Sequence, residues 1–299
     1  MTGPDLPPQI RERTVAKART LLEALPFMRE HGGRVIVIKY GGAAMETSGL
    51  VSTFAEDVML LQSVGIKPVI VHGGGPAVTQ LSARLGIETT FVDGLRVTDA
   101  ETLDVATMVL AGKLNTDVVS SLVTGGVNAV GLSGVDGRLL LARKQDGPDL
   151  GFVGEVVHVD TGVLSTLLDR SFVPVVASIA VDAHGQAYNV NADVVAAELA
   201  VELDAEKLVY ISDVPGLIGT TGDLLSELSA TQASELLAAP GVVDGGMIPK
   251  VESAVRALEA GVGRIHLVDG RVEHAVVLEL FTPEGIGTMI TPDLDRITP

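Results

Sequence analysis

The 299-residue chain has no cysteine and no tryptophan, and its aromatic residues make up only 3% of the total. Without cysteine there is no disulfide, no thiolate nucleophile and no sulfur-ligated zinc or iron–sulfur centre. So few aromatics leave stacking platforms for bases or sugars scarce. Positive charge is also short, with 21 Lys and Arg against 38 Asp and Glu and a formal net charge of -17. That balance argues against sequence-independent binding to nucleic acid or an anionic membrane, so a phosphate ligand would need a locally basic pocket. No apolar run is long enough to span a bilayer, and residues 1–30 are amphipathic rather than a charged start followed by a hydrophobic block. The expectation is a soluble, cytoplasmic protein with neither a nucleic-acid nor a membrane partner. The six histidines, at 31, 72, 158, 184, 266 and 274, include no i, i+4 pair of the kind a helical zinc site uses, and no metal ligand is assigned.

What is present is apolar: 46% of residues are hydrophobic and 20% charged, enough to bury a substantial core. Val- and Ile-rich runs recur at Val35–Ile38, Pro68–Val71, Val127–Leu132, Phe172–Val181, Lys207–Ile211 and Arg264–Val268. Several are hydrophobic at consecutive positions, as strands are when helices cover both faces of a parallel sheet. Between them, Ser52–Val64, Ala77–Leu85, Glu101–Leu122, Asp193–Leu203 and Val251–Ala260 carry apolar residues at spacings of three and four, the helical period. The fold class is therefore α/β with a central, mostly parallel sheet. Arg138–Ala142 and Phe152–Val159, around the turn-rich Gln145–Gly151, predict a hairpin acting as a lid or rim. A boundary is expected near Leu203–Glu206. In residues 9–25, Ala18, Leu21, Leu22 and Leu25 share one helical face, and Pro26 is expected to end the helix. That helix either packs on its own domain or serves as an arm joining subunits.

Candidate chemistry sits where strands run into glycine. Lys39 closes a buried-strand pattern just before Gly41 and Gly42, which let backbone N–H groups turn toward an anion. A tight turn with a solvent-facing lysine fits equally well. Pro68–His72 runs into Gly73, Gly74 and Gly75 and then Pro76, a strand, glycine turn and helix start that make an anion site. His72 is more simply a hydrogen-bonded structural histidine than a base. The P-loop, dinucleotide, protein-kinase and nucleophile-elbow signatures are missing. Arg96, in Gly-Leu-Arg-Val-Thr, offers a fork for a carboxylate. Asn189, Asn191 and Asp193 stand at alternate positions, and Asp193 is alternatively the cap of the following helix. Lys250 is a second lysine beside glycines, at Gly245-Gly-Met-Ile-Pro-Lys.

Taken together and in order, K-Y-G-G, V-H-G-G-G-P, G-L-R-V-T, N-V-N-A-D, S-D-V-x-G and G-G-M-x-x-K resemble the amino acid kinase family, and most closely its acetylglutamate branch. The resemblance implies a three-layer sandwich around a mostly parallel sheet. It implies three parts: an N-terminal interaction helix over 1–31, an acetylglutamate-binding and dimerisation domain over 32–205, and an ATP-binding domain over 206–299. The implied reaction is phosphorylation of the side-chain carboxylate of N-acetyl-L-glutamate by ATP, in arginine biosynthesis. A carboxylate with a pKa of about 4.3 is already ionised at neutral pH, so no general base is required. What remains is to hold two anions in line and neutralise the transferring phosphoryl group.

By the same resemblance, Lys39 and Lys250 flank that group, Gly42 and Gly74 offer it N–H donors, and Asp193 orients both lysines. Gly74, Gly75, Arg96, Asn189 and Asn191 would hold the acetylglutamate. The loop of Asp213, Val214, Pro215, Gly216, Leu217 and Ile218, with Val242, Val243, Asp244 and Gly246, would cradle ATP, whose phosphates bring Mg2+ with them. Lys207, His274, Glu279 and Gly285 resemble the arginine site of the arginine-inhibited subclass, in which the N-terminal helix interlinks dimers into a hexamer, a trimer of dimers. No residue here carries a signature for a PII-type regulator. A relative acting on N-acetylaminoadipate or a carrier-linked glutamate would share these residues. A non-catalytic arginine or nucleotide sensor is the rival of another class, and the intact Lys39, Lys250 and Asp193 weigh against it.

Overall fold

In the computed structural model, which describes residues 8–45, 47–92, 94–219, 221–239, 241–243 and 245–293, the reason for the continuous apolar runs is plain. Along the strand Val35–Tyr40, Val37 enters one apolar cluster while Ile36, Ile38 and Tyr40 enter another on the opposite face. In Lys67–His72, Val69 and Val71 go one way and Ile70 the other. Each face is roofed by helices. Ala192–Glu202, Met247–Glu259, Ala230–Ala238 and Gly162–Asp169 cover the first, and Ser48–Ser63, Asn115–Thr124 and Ala275–Phe281 cover the second. The expected three-layer α/β sandwich is what forms.

Among the described residues, eight strands make the central sheet, in the order Glu227–Ser229, Thr288–Thr291, Arg264–Asp269, Lys207–Ser212, Val35–Tyr40, Lys67–His72, Val173–Ala177 and Ala129–Ser133. Every neighbouring pair is parallel except Arg264–Asp269 with Thr288–Thr291. The sheet runs unbroken across residues 203–206, because Lys207–Ser212 pairs directly with Val35–Tyr40. From Val35–Tyr40 the chain builds outward first to one side and later to the other. The carboxyl ends of the strands around such a reversal leave a crevice where ligands bind.

Four local features differ from the sequence expectation. The run Phe172–Val181 is two strands, Val173–Ala177 in the central sheet and Ile179–Val181 in a smaller sheet with Ala187–Asn189 and the hairpin Leu140–Lys144 and Gly154–Val159. That hairpin is a fixed rim, since Phe152 donates its N–H to the Thr98 carbonyl at 2.6 Å and Asn189 donates to Phe152 at 2.9 Å. The helix expected over Glu101–Leu122 carries a π turn, Met108–Leu114, between Ala100–Thr107 and Asn115–Thr124. The turn lays Leu110 and Leu114 over Gly74, where a β-carbon would collide with both.

The fourth concerns the N-terminal helix, which passes Pro26 and runs over Pro8–His31. Proline costs the helix one hydrogen bond. The last turn survives because Phe27 and Met28 pack on the core and His31 Nδ1 lies 2.7 Å from Glu206 Oε1. Farther out, Leu21 and Leu22 are 69% and 66% exposed, so that apolar face is not covered by the rest of the chain. Among the described residues no helix is long and apolar enough to cross a membrane.

Candidate active site

The crevice brings together residues far apart in sequence. Lys39 is the next-to-last residue of Val35–Tyr40, Asp193 lies in the first turn of Ala192–Glu202, and Lys250 in the first turn of Met247–Glu259. Lys39 Nζ sits 3.1 Å from Asp193 Oδ1, and Lys250 Nζ sits 2.8 Å from Oδ2. Asn191, not Asp193, caps the helix, its side chain accepting the Asp193 N–H at 2.8 Å. The Asp193 carboxylate is thereby left to the lysines. Burial alone would raise its pKa, but the two ammonium groups hold it below the usual carboxylate range. Burial pulls Lys250 below the usual lysine range, against the pull of Asp193. Two ammonium groups thus converge on one buried carboxylate in a nearly dry place, with Asp213 close enough to act on Lys250, an arrangement suited to neutralising charge that develops on a phosphoryl group.

Gly42 lies directly alongside. Its φ of 67° is in the left-handed region, and a β-carbon there would run into the Asp213 carboxylate. It opens the short 3-10 turn Gly42–Met45, fixed by the Tyr40 hydroxyl donating to the Ala44 carbonyl at 2.5 Å. Tyr40 in turn stacks on Phe54, with ring centroids 4.0 Å apart.

Beside this centre is a cavity of about 180 Å³ walled in part by Gly73, Gly74, Gly75, Arg96, Asn189 and Asn191. Gly74 precedes the helix Gly75–Leu85, so backbone N–H groups and the positive helix end face an incoming anion. Arg96 Nη2 donates to the Gly75 carbonyl and to Thr79 Oγ1, both at 2.8 Å, and the guanidinium lies 4.8 Å from the Phe91 ring centroid. Its other amino nitrogen, Nη1, is buried without a hydrogen-bond partner among the described residues. Burial lowers the pKa of Arg96, yet a guanidinium stays charged. Arg96 thus brings a buried cation with an unmet donor to the wall of this cavity. His72 is satisfied on both sides, Nδ1 donating to the Gly73 carbonyl at 2.9 Å and Nε2 accepting from Asn115 Nδ2 at 3.1 Å. Burial lowers its pKa, and it serves the fold.

On the other side of the crevice, Asp213 to Ile218 follow the strand Lys207–Ser212. Val214 and Ile218 are partly exposed. Leu217 is buried in the core, with its N–H donating to Thr288 Oγ1 at 2.9 Å. Val243 is also buried in the core, and Val242 packs against it. The Leu217 carbonyl accepts the Leu225 N–H at 2.9 Å, so its backbone is committed as well, and of these two buried residues only Val243 could offer backbone to a ligand. Gly246 immediately precedes the helix carrying Lys250, and Asp244 lies outside the described residues.

A separate cavity of about 440 Å³ is lined by Lys207, Glu279 and Gly285, with Glu30 and His31 from the N-terminal helix. His274 is not among its walls. It starts the helix Ala275–Phe281 and turns to Asp57, Nδ1 to Oδ1 at 2.7 Å. Besides His31, the histidine that lines the cavity is His266, which was not singled out from the sequence, although a histidine inside a buried apolar strand was the available signal. His266 Nδ1 lies 2.7 Å from Glu279 Oε1, and Lys207 Nζ lies 3.3 Å from Nε2. Glu279 Oε2 accepts the N–H groups of Ile286 and Gly287 at 2.7 and 3.0 Å.

Comparison with known proteins fits this geometry. Residues 34–269 match the model of the amino acid kinase family. The chain is 50% identical to the acetylglutamate kinase of Aquifex aeolicus (strain VF5) over 293 residues, 93% of this chain and 98% of that relative. It is 49% identical to the acetylglutamate kinase of Symbiobacterium thermophilum over 289 residues, 93% of this chain and 99% of the relative. Among solved structures it superposes on N-acetylglutamate synthase from Neisseria gonorrhoeae complexed with coenzyme A and N-acetyl-glutamate, with a TM-score of 0.83 and 30% identity. That match covers 92% of this chain but 63% of the synthase chain, so this chain spans under two thirds of the synthase's length. Carbamate kinase from Giardia lamblia bound to AMP-PNP shares the fold, at a TM-score of 0.65 and 18% identity over 87% of this chain and 99% of that one.

Proposed function

The chain belongs to the amino acid kinase family, and on that premise we propose that it transfers the terminal phosphoryl group of ATP to the side-chain carboxylate of N-acetyl-L-glutamate, giving the acyl phosphate and ADP. The observation that carries the reading is Asp193, one buried carboxylate holding Lys39 and Lys250 at 3.1 and 2.8 Å. The attacking carboxylate needs no base, and the crevice offers none: His72 is buried neutral and fully hydrogen-bonded. The protein's work is to align two anions and to stabilise the charge shared between them.

Arg96 Nη1 takes a carboxylate of N-acetyl-L-glutamate, and the Asn189 and Asn191 amides take its polar groups. Gly42 and Gly74 present N–H groups to the phosphoryl oxygens. The loop from Asp213, with Gly246, receives ATP. Magnesium, bound to the ATP phosphates, offsets their charge, and no protein ligand to it is assigned.

Arginine is the proposed inhibitor, seated in the cavity of Lys207, His266, Glu279 and Gly285, where the Glu279 carboxylate faces its guanidinium. For inhibition it must favour a state that is less competent in catalysis. In this reading the helix joins subunits in a homo-oligomer, a trimer of dimers as the family resemblance implies; Glu30 and His31 lining that cavity and the bare Leu21 and Leu22 farther along the same helix support its role as a joining arm.

The test is ADP release with Mg-ATP and N-acetyl-L-glutamate beside glutamate, N-acetylaminoadipate, aspartate, carbamate and UMP. Turnover confined to N-acetyl-L-glutamate is expected. Preference for another acceptor would overturn the substrate assignment.

A further inference from the structure

We propose that Tyr210 and Ser253 form a buried hydroxyl bridge that sets the spacing between Asp193 and Lys250, which makes Tyr210 a positioning residue for phosphoryl transfer; the inference rests on the reaction proposed above. Tyr210 stands in register beside Lys39 on the neighbouring strand and packs among residues of the helices that carry Asp193 and Lys250. Its hydroxyl lies 3.2 Å from the Asp193 carbonyl and 2.8 Å from Ser253 Oγ, which lies 2.9 Å from the Lys250 carbonyl. Tyr210 and Ser253 both have 0% exposure. The ring centroid is 5.0 Å from Lys250 Nζ, a cation–π distance. The two residues whose side chains meet in the crevice are thus joined a second time, through their main chains.

Hydrogen counting shows how the bridge works. Carbonyls only accept, and each hydroxyl carries one hydrogen, so two hydrogens serve three contacts. In one order Tyr210 donates to Asp193 and Ser253 donates to Tyr210. In the other, Tyr210 donates to Ser253 and Ser253 donates to Lys250. Burial pushes the phenol far above its ordinary pKa, so the hydrogen stays in place. Neither order involves the Lys250 ammonium. The first order ties the Asp193 carbonyl, through Tyr210, to Ser253 on the Lys250 helix, and so holds the two helix starts together while that ammonium turns from Asp193 to the phosphoryl group. An aliphatic residue would fill the same core position, but it would not link the Asp193 carbonyl to Ser253 on the Lys250 helix.

The experiment compares wild type, Tyr210→Phe, Ser253→Ala and the double variant, each in Mg-ATP with N-acetyl-L-glutamate. kcat is taken per ATP-binding site counted by titration, so that a smaller folded fraction does not masquerade as slower chemistry. Tyr210→Phe keeps the ring and its contact with Lys250. Each single variant is expected to lose about tenfold in kcat with both KM values within about twofold of wild type, and the double variant to be no slower than the worse single. Single variants with kcat within about twofold of wild type, or losses that multiply in the double variant, would overturn the bridge while leaving the reaction intact. No turnover by wild type would overturn the reaction and the bridge together.

Discussion

Lys250, 57 residues beyond Asp193 in the chain, closes on Oδ2 of that carboxylate at 2.8 Å, with both residues buried. Lys39 holds the other oxygen at 3.1 Å, so the one carboxylate fixes both ammonium groups. Replacing Asp193 by Asn keeps the shape and removes the anion. Two closely set ammonium groups then repel, and kcat is expected to fall by about 100-fold or more. Lys250→Ala should lose about 100- to 1000-fold in kcat, the scale of removing one preorganised charge donor from a transition state. Steady-state turnover at saturating substrates is the measurement, and activity within a few-fold of wild type in Lys250→Ala would remove the lysine from the chemistry.

Arg96 separates binding from chemistry. Its Nη1 is buried without a hydrogen-bond partner among the described residues, while Nη2 is already committed to Gly75 and Thr79. Lysine keeps a charge, but its single nitrogen cannot stand at the places of both Nη1 and Nη2. Arg96→Lys should raise KM for N-acetyl-L-glutamate by about tenfold or more and leave KM for ATP near wild type. Equal loss of affinity for both substrates would place Arg96 in the framework instead.

Much of this arrangement was legible in the residues, for reasons that also mark where legibility stops. Strands covered on both faces must be apolar at every position, so Val35–Ile38 and Pro68–Val71 announced themselves, as did the glycines that follow them. The expected cap at Asp193 belongs to Asn191, because both are short polar residues suited to a cap and the backbone starts the helix at Ala192, ahead of Asp193. The π turn at Met108–Leu114 was invisible, since spacings of three and four persist on either side of it. Pro26 reads as a stop, but packing of Phe27 and Met28 outweighs one lost hydrogen bond. His274 and His266 lie eight residues apart, and the sequence does not say which turns to the cavity; the positive φ at His274 directs it to Asp57.

Acid sensitivity should trace to His266 and Glu279. Burial holds His266 below its ordinary pKa. For Glu279, burial alone would raise the pKa, but the His266 hydrogen bond and backbone N–H donors hold it below the usual carboxylate range. Both groups bind protons less readily folded than unfolded. Their contribution is full above the unfolded histidine value of about 6.5 and is lost progressively as pH falls below it. His274 acts the other way, because its Asp57 hydrogen bond raises its pKa and adds stability that is lost as pH rises. Comparing wild type with His266→Gln cancels that term. Between pH 7.5 and 5.5, the Tm of His266→Gln should fall less than that of wild type, and parallel curves would contradict the assignment.

The effector reading has its own test. Glu279 is the buried carboxylate among those lining the 440 Å³ cavity, which Lys39 and Lys250 do not line. Glu279→Ala should retain turnover and lose inhibition by arginine, and deletion of residues 1–26 should lower the mass found by light scattering. Normal inhibition in the first, or unchanged mass in the second, would contradict the corresponding assignment.

The most direct measurement of the central claim identifies the bond that is made. Hydroxylamine converts an acyl phosphate to a hydroxamate, so the reaction is run with Mg-ATP, N-acetyl-L-glutamate and hydroxylamine, and hydroxamate is counted against ADP. The account predicts one hydroxamate per ADP, both dependent on N-acetyl-L-glutamate. ADP without hydroxamate would mean phosphoryl transfer to water, and would contradict the placement of a substrate carboxylate between Arg96 and the lysine pair.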